Sequence, residues 1–135
     1  MYTMQECCKM TGLNYDTLKY YCNIGIIPNV KRDKFNNYRV FDDNDINWIK
    51  GIICLKKCNF SLNEIKLYCD LCLKGKDSIP ERKKMLNEHK KQLQEQIASI
   101  QESIEYINKK NELYDKFLSG ETEYFSYILS EDSQK

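Results

Sequence analysis

Apolar residues recur every seven positions across residues 80–118, and this repeat limits the folds open to the chain. One register holds Leu86, Leu93, Ile100, Ile107 and Tyr114, and a second holds Ile97, Ile104, Asn111 and Leu118. The pattern predicts one long helix with an apolar seam along one side. Few residues follow Leu118 in the sequence of 135. We therefore expect the seam to pair with a second copy of the chain, with Asn111 helping to fix the register.

The N-terminal part of the chain has the pattern of a helix-turn-helix. Thr3 and Glu6 have the spacing of a capping box, which predicts a first short helix over residues 3–10. Gly12 ends that helix, and Asn14 can cap a second helix over 14–24. An inward face of the second helix is predicted for Leu18, Tyr21 and Ile24. Its outward residues include Tyr15, Lys19 and Tyr20.

A basic hairpin is predicted over residues 30–40, with Asn36 and Asn37 at the turn. Its basic residues are Lys31, Arg32, Lys34 and Arg39, and the aromatic residues Tyr38 and Phe41 lie beside them. Lysine and arginine displace counterions from a phosphate backbone, and tyrosine hydroxyls donate to phosphate oxygens. The segment thus indicates a DNA-binding surface. The alternative is a solvated loop beside an ordinary helix pair.

Two more helices complete the N-terminal part. Acidic caps at residues 42–45 open a third helix over 43–57, with an inward stripe of Ile46, Ile49 and Ile53. The pair Asn59-Phe60 ends it. Ser61 and Glu64 then form a second capping box, which opens a fourth helix that runs to residue 73. Residues 75–80 are predicted to be a linker.

This layout resembles the MerR family of bacterial transcription regulators. The matching segments are YTMQECCKMTGL, NYDTLKYYCNIGIIPNVKRDKFNNYRVFDDNDI and NFSLNEIK, followed by the long helix. The resemblance implies a mainly α fold, with a winged helix-turn-helix head and a long C-terminal dimerisation helix in an antiparallel coiled coil. We accordingly predict a DNA-binding domain over 1–75, a dimerisation helix over 80–118 and a short tail over 119–135.

The resemblance also implies which residues meet double-stranded promoter DNA. Lys19 and Tyr20 match the recognition helix, beside Tyr15, while Tyr38 and Arg39 match the wing that grips the backbone. Lys56 and Lys57 flank a second wing at Asn59-Phe60. Lys19 stands where the family usually has arginine, and Asn37 and Asn59 stand where it usually has glycine. The implied mechanism is distortion of a promoter with an overlong spacer by a homodimer, which acts on RNA polymerase indirectly.

The seven cysteines, with no secretory signal, indicate reduced thiols in a cytoplasmic protein with no membrane segment. The segment around Cys54 resembles the family's thiol-sensing subgroup, and Lys50 and Lys57 lie near it along the helix. The alternative is an inert core cysteine. A metal-binding regulator could instead use Cys54, Cys58, Cys69 and Cys72, although we expect no metal and no cofactor.

Several other residues and classes can be assigned from the sequence. Cys7, Cys8 and Cys22 are predicted to be packing residues. His89, the only histidine, is predicted to lie on the surface of the long helix. The tail with Tyr124 and Phe125 is interpreted as a packing segment. Because no base lies near a cysteine in the sequence, we do not expect an enzyme. A coiled-coil adaptor that does not bind DNA remains an alternative.

Overall fold

The structure is a computed structural model, and it describes residues 1–129. Five α-helices and one small hairpin follow in order: α1 (Met4–Thr11), α2 (Tyr15–Asn23), β1 (Lys31–Arg32), β2 (Arg39–Val40), α3 (Asp43–Lys57), α4 (Leu62–Leu73) and α5 (Ile79–Ser119). Residues 1–91 form one compact unit, and the residues from Gln92 onward form a second. The predicted mainly α fold, with its wing and long C-terminal helix, is confirmed.

Side-chain caps start four of the helices where the sequence predicted them. The Thr3 hydroxyl accepts from Glu6 N at 3.1 Å, and the Glu6 carboxylate accepts from Thr3 N in return. The same reciprocal pattern joins Ser61 and Glu64 at the start of α4. Asn14 caps α2, and Asp42 caps α3. Each cap satisfies backbone N–H groups that a helix start leaves without partners.

The core of the first unit joins the helix-turn-helix to α3 and α4. Its fully buried side chains are Phe41, Phe60, Leu18, Ile26, Ile49, Ile52, Ile65 and Cys7. Cys8 and Cys22 are half-buried against it, so these three cysteines pack as expected. The indole N–H of Trp48 donates to the carbonyl of Ile26 at 2.7 Å, which ties α3 to the segment after α2.

The inward stripe of α3 differs by one residue from the prediction. Ile46, Ile49 and Ile52 are buried, whereas Ile53 is only half-buried. The reason is that α3 packs on more than one neighbour: it contacts α1 along one side, and Trp48 reaches the segment after α2. The buried face of α3 is therefore wider than a single stripe, and Ile52 lies within the additional buried part.

The predicted linker over 75–80 is a structured corner instead. A 3₁₀ turn spans Lys76–Ser78, and α5 begins at Ile79. The Ser78 hydroxyl is buried and donates to the carbonyls of Leu71 and Gly75. The Arg82 guanidinium then donates to the Gly75 carbonyl at 2.6 Å and, through Nε, to the Ser78 hydroxyl at 3.0 Å. These bonds satisfy the Leu71 carbonyl in the last turn of α4 and the Gly75 carbonyl just beyond it.

His89 was expected on the surface of the long helix, and that expectation is wrong. His89 is only 6% exposed, and both nitrogens of its ring lie within hydrogen-bond distance of oxygen atoms in the first unit. The heptad repeat predicts that the first turns of α5 belong to a coiled coil, which would leave His89 on its surface. In the structure, those turns pack against the core that includes Phe60, so the position is covered.

The second unit consists of the remainder of α5 and the segment after it. The ring of Phe117 meets those of Tyr124 and Phe125 edge-on, with centroids 5.2 and 5.1 Å away, in line with a packing role for the tail. Residues 130–135 of the predicted tail lie outside the described part. No helix among the described residues is long and apolar enough to cross a membrane.

Candidate nucleic-acid interface

The outward face of α2 carries the three residues that the sequence singled out. Tyr15 and Tyr20 are about half exposed (52% and 50%), and Lys19 is exposed between them. Leu18 and Tyr21, on the other side of the helix, are buried. The Asn14 cap, whose side chain accepts from Thr17 N at 2.8 Å, fixes where this helix begins. Because the face of α2 with Leu18 and Tyr21 is buried, the face with Tyr15, Lys19 and Tyr20 points toward solvent.

The hairpin forms a small wing with an aromatic and basic surface. Lys31 pairs with Val40, and Arg32 pairs with Arg39. The turn is closed by the Asp33 carboxylate, which accepts from the backbone N–H groups of Phe35 and Asn36, and by Asn37, which adopts a φ of 60°. An asparagine tolerates this left-handed backbone better than most residues. The turn leaves Phe35 fully exposed and Tyr38 72% exposed.

Both arginines of the wing are held in place. Arg39 donates from Nη2 to the Asn23 side chain at 2.6 Å, and Arg32 donates from Nη1 to the Asn37 carbonyl at 3.0 Å. At the base of the wing, Lys31 lies 3.4 Å from Asp42. The pKa of the Asp42 carboxyl is lowered, first by the N–H bond from Asp45 and then by Lys31. The ion pair is too exposed to add much stability.

A groove of about 580 Å³ runs between the start of α1, the start of α2 and the wing. Tyr15, Arg32, Tyr38 and Arg39 lie along it, and Thr3 and Gln5 contribute from α1. Two guanidinium groups and two phenol rings can donate hydrogen bonds to phosphate oxygens. The structure therefore brings Tyr15, Tyr38 and Arg39 together at one concave surface.

The second basic corner lies at the end of α3. Lys56 and Lys57 are exposed in the last turn, and Asn59 adopts a φ of 67° just beyond it. This left-handed residue turns the chain sharply, so that Phe60 enters the core while the two lysines stay in solvent. Neither lysine lines the groove.

The seven cysteines differ in exposure, and all of them lie in the described part of the chain. Cys54 is the one exposed thiol among them. Burial raises the pKa of Cys7 to about 12 and that of Cys69 to about 11. Burial also raises the pKa of Cys8 and Cys22. Because the thiolate is the reactive form, burial makes these four thiols poor nucleophiles.

The alternative metal site finds no support in the geometry. Among the described residues, no group of three or more histidine, cysteine, aspartate or glutamate side chains is arranged to hold a metal ion. Cys54 is exposed on α3, whereas Cys69 is buried in α4 with its thiol 3.8 Å from the Ile26 carbonyl. The thiol of Cys72 lies 3.8 Å from the Arg82 guanidinium. A positively charged group in that place is unfavourable for a metal ion, which would need a further ligand there.

Sequence reasoning missed part of this surface. Gln5 was not a candidate, and Arg32 was named only as one of the basic residues of the hairpin, yet both line the groove. Phe35 at the turn is fully exposed. The predicted turn at Asn36 and Asn37 would have paired Arg32 with Phe41. The observed hairpin is centred one residue earlier, between Phe35 and Asn36, and pairs Arg32 with Arg39. Gln5 could not be found from the sequence, because its place depends on how α1 packs beside the wing.

Comparison with known families gives two matches. The family model described as MerR HTH family regulatory protein matches residues 2–72, and the model described as MerR, DNA binding matches residues 46–109.

An uncharacterized HTH-type transcriptional regulator of Haemophilus influenzae is 37% identical over 81 residues, or 60% of this chain and 59% of that protein. The HTH-type transcriptional regulator AdhR of Bacillus subtilis is 37% identical over 78 residues, or 58% and 55%. The matches thus span between half and three fifths of these relatives.

Solved structures resemble the chain over more of its length. The first is HiNmlR, a MerR family regulator lacking the sensor domain, bound to promoter DNA. It has a TM-score of 0.71 and 30% identity, and the match covers 90% of this chain and 91% of that one. The second is a protein of Listeria monocytogenes assigned to the MerR transcriptional regulators, with a TM-score of 0.76, 25% identity and coverage of 89% and 90%.

Proposed function

The chain belongs to the MerR family of DNA-binding transcription regulators, and from this premise we propose that it binds and distorts promoter DNA as a homodimer. Members of this family are transcription factors and not enzymes. We further propose that the protein acts in the cytoplasm and affects RNA polymerase through the shape of the promoter.

The groove between α2 and the wing is the observation that carries the DNA proposal. Tyr38, Arg32 and Arg39 project from the wing, and Tyr15 faces them from α2. Lys19 and Tyr20 are exposed farther along the same helix. In our proposal, α2 lies in the major groove and the wing holds the neighbouring phosphates. In the same proposal, Lys56 and Lys57 form a second contact with the DNA backbone.

The exposed seam of α5 supports the homodimer. Ile97, Ile100, Ile104 and Ile107 are each more than half exposed, and Leu118 is 87% exposed. A single chain leaves this apolar stripe in water, which is unfavourable, whereas a second α5 would bury it. An antiparallel arrangement would carry one DNA-binding head at each end of the coil, as two half-sites of a near-palindromic operator require.

Distortion of the promoter is proposed from the family. HiNmlR is bound to promoter DNA and lacks the sensor domain. For this chain, we propose that two heads on a stiff coil grip two half-sites at a fixed separation. Bending or untwisting the DNA so that it meets both heads then costs a deformation energy that depends on its sequence.

We propose that Cys54 is where a thiol-reactive signal enters. The support is its exposure, which contrasts with the four cysteines whose burial raises the pKa of the thiol. Cys54 lies on α3, which packs against the helix-turn-helix. A bulky adduct there could change the position of α3 and with it the angle between the two heads.

The function is tested by footprinting on the region upstream of the gene, together with gel shifts at several salt concentrations. A regulator of this kind protects two half-sites and enhances cleavage between them, and its affinity falls as salt rises. A coiled-coil adaptor would show neither protection nor salt-dependent affinity, and that result would overturn the proposal.

A further inference from the structure

The tip of the wing is a hydrogen-bonded turn that presents one apolar side chain. The Asp33 N–H donates to the Tyr38 carbonyl at 2.8 Å, and the Asn37 N–H donates to the Asp33 carbonyl at 2.9 Å. The Asp33 carboxylate accepts from Phe35 N at 2.7 Å and from Asn36 N at 3.2 Å. Phe35 itself is 100% exposed. Because its ring lies in solvent, these hydrogen bonds hold the turn and the ring adds no packing to it.

The surface around Phe35 is positively charged. The hairpin has one acidic residue, Asp33, and four basic ones: Lys31, Arg32, Lys34 and Arg39. The Asp33 carboxylate is directed into the turn by its bonds to two backbone N–H groups. A second copy of this hairpin would carry the same charge and be repelled. Double-stranded DNA has phosphates outside and stacked apolar bases inside, so it suits both the charge and the exposed ring.

Phe35 lies beyond the groove that the proposed function assigns to the phosphates. The wing residues of that groove include Arg32, Tyr38 and Arg39, and Phe35 is not among them. Each phosphate backbone of a duplex borders the major groove on one side and the minor groove on the other. With α2 in the major groove and the wing on the phosphates, the tip extends to the minor groove, which is about 6 Å wide and admits an aromatic ring.

We infer that Phe35 is an apolar wedge, which enters the minor groove at the outer edge of each half-site and partly unstacks one base step. The inference rests on the proposed function and adds to it a residue that deforms the DNA. A ring that leaves water for the stacked bases gains hydrophobic free energy, which offsets part of the cost of unstacking. Pyrimidine–purine steps unstack most easily, so Phe35 would select such a step without a hydrogen bond to any base.

The wedge is tested with a duplex selected for tight binding from a random pool, so that the position of the natural operator need not be known. The adenines of this duplex are replaced one at a time by 2-aminopurine, whose fluorescence rises when the base is unstacked. We expect the full-length parent to raise the emission at one step beside each half-site. Phe35→Ala should lose that rise, and Phe35→Leu, which keeps an apolar wedge, should retain it.

Affinity measurements separate a wedge from a phosphate contact. Phe35→Ala removes no charge, so its affinity for the duplex should fall about tenfold while the slope against salt stays that of the parent. Lys34→Gln is the matched control at the neighbouring exposed position, and it should keep the rise in emission. Changing the unstacked step from TA to the stiffer AA should weaken binding by the parent and leave binding by Phe35→Ala unchanged.

The results that contradict the wedge differ from those that contradict the proposed function. If the parent protects two half-sites but no 2-aminopurine responds, or if Phe35→Ala gives the same response as the parent, the wedge alone is wrong. If the parent selects no duplex, the wedge and the proposed function both fail. Sedimentation without DNA should give Phe35→Ala the same association state as the parent. A weaker association would instead assign Phe35 to a contact between copies.

Discussion

The Nη2 atom of Arg39 donates a hydrogen bond of 2.6 Å to Oδ1 of Asn23, so the second strand of the wing is tied to the last residue of α2. The bond orients one guanidinium edge, and Arg39 lines the groove together with Tyr15 and Tyr38. A held side chain loses less entropy when it meets a phosphate.

Arg39→Ala should weaken DNA binding across operator sequences, because the residue is proposed to bind the backbone. The slope of log affinity against log salt should fall by about 0.9 for each phosphate that the variant no longer neutralises. Asn23→Ala keeps the charge but frees the guanidinium, so a smaller loss with an unchanged slope is expected. Lys109→Ala, which removes an exposed charge from α5, serves as the control. Parent-like binding by Arg39→Ala at several salt concentrations would exclude the proposed role of the wing.

Replacing both Ile100 and Ile104 with lysine should convert the proposed dimer to a monomer, because the substitutions would bury two charges in the seam at a cost of several kcal/mol. Sedimentation at micromolar concentration measures this. The matched control is Ala98→Lys with Ser99→Lys, which adds the same charge on the side of the helix away from the seam. A native protein that already sediments as a monomer would rule out the dimer.

Cys54 should react with a limited amount of electrophile faster than the other six thiols, because it is the exposed one. Mass spectrometry of the native protein identifies the labelled site. Cys54→Ser should remove the fast phase, whereas Cys58→Ser, one helical turn away, should leave it intact. Equal labelling of all seven cysteines would place the signal elsewhere.

The two capping boxes provide a matched pair for a test of pH dependence. Glu64 and Glu6 each close a capping box, and the pKa of each carboxyl is lowered. The largest cause is the hydrogen bond from His89 for Glu64 and the hydrogen bond from the Thr3 backbone for Glu6. A lowered pKa stabilises the fold above the ordinary value of 4.5, and this contribution is lost as the pH falls through the lowered value. Glu64→Gln should therefore destabilise the protein at neutral pH more than Glu6→Gln does.

Thermal unfolding of the two glutamine variants at neutral pH and at about pH 3 gives the comparison. The difference between Glu64→Gln and the parent should shrink in acid, where the parent carboxyl is also becoming neutral. Equal effects of the two substitutions at neutral pH would mean that His89 adds nothing to the cap.

Leu18→Ala should cost about 2–5 kcal/mol of unfolding free energy, because the side chain is fully buried in the core of the first unit. Leu67→Ala, on the exposed side of α4, should cost about 0.5 kcal/mol or less. Urea denaturation followed by circular dichroism measures both. A small loss for Leu18→Ala would mean that α2 is not anchored through this residue.

Local chemistry made much of the fold predictable. Thr3, Asn14, Asp42 and Ser61 cap their helices as the spacing indicated, because a cap needs only residues near it in the chain. The left-handed turns at Asn37 and Asn59 are local in the same way. The predicted domain boundaries and DNA contacts stay predictions.

The misses arise where distant segments meet. His89 is buried because the corner of α3 and α4 covers it, which no heptad pattern can indicate. Ile52 is buried instead of Ile53 because α3 has neighbours on two sides. Gln5 reaches the groove only through the packing of α1 beside the wing.

Trp48 is the only tryptophan of the chain, and its indole N–H is bonded to the Ile26 carbonyl. Its fluorescence therefore reports on one junction, where α3 meets the segment after α2, and α5 beyond Gln92 contributes no such signal. Cys54, the proposed sensor, lies six residues farther along the same helix. If an adduct there shifts α3 as proposed, we expect the tryptophan emission to change, so the signal can be sought without any added dye. The protein thus carries its own optical probe on the helix that bears the proposed sensor.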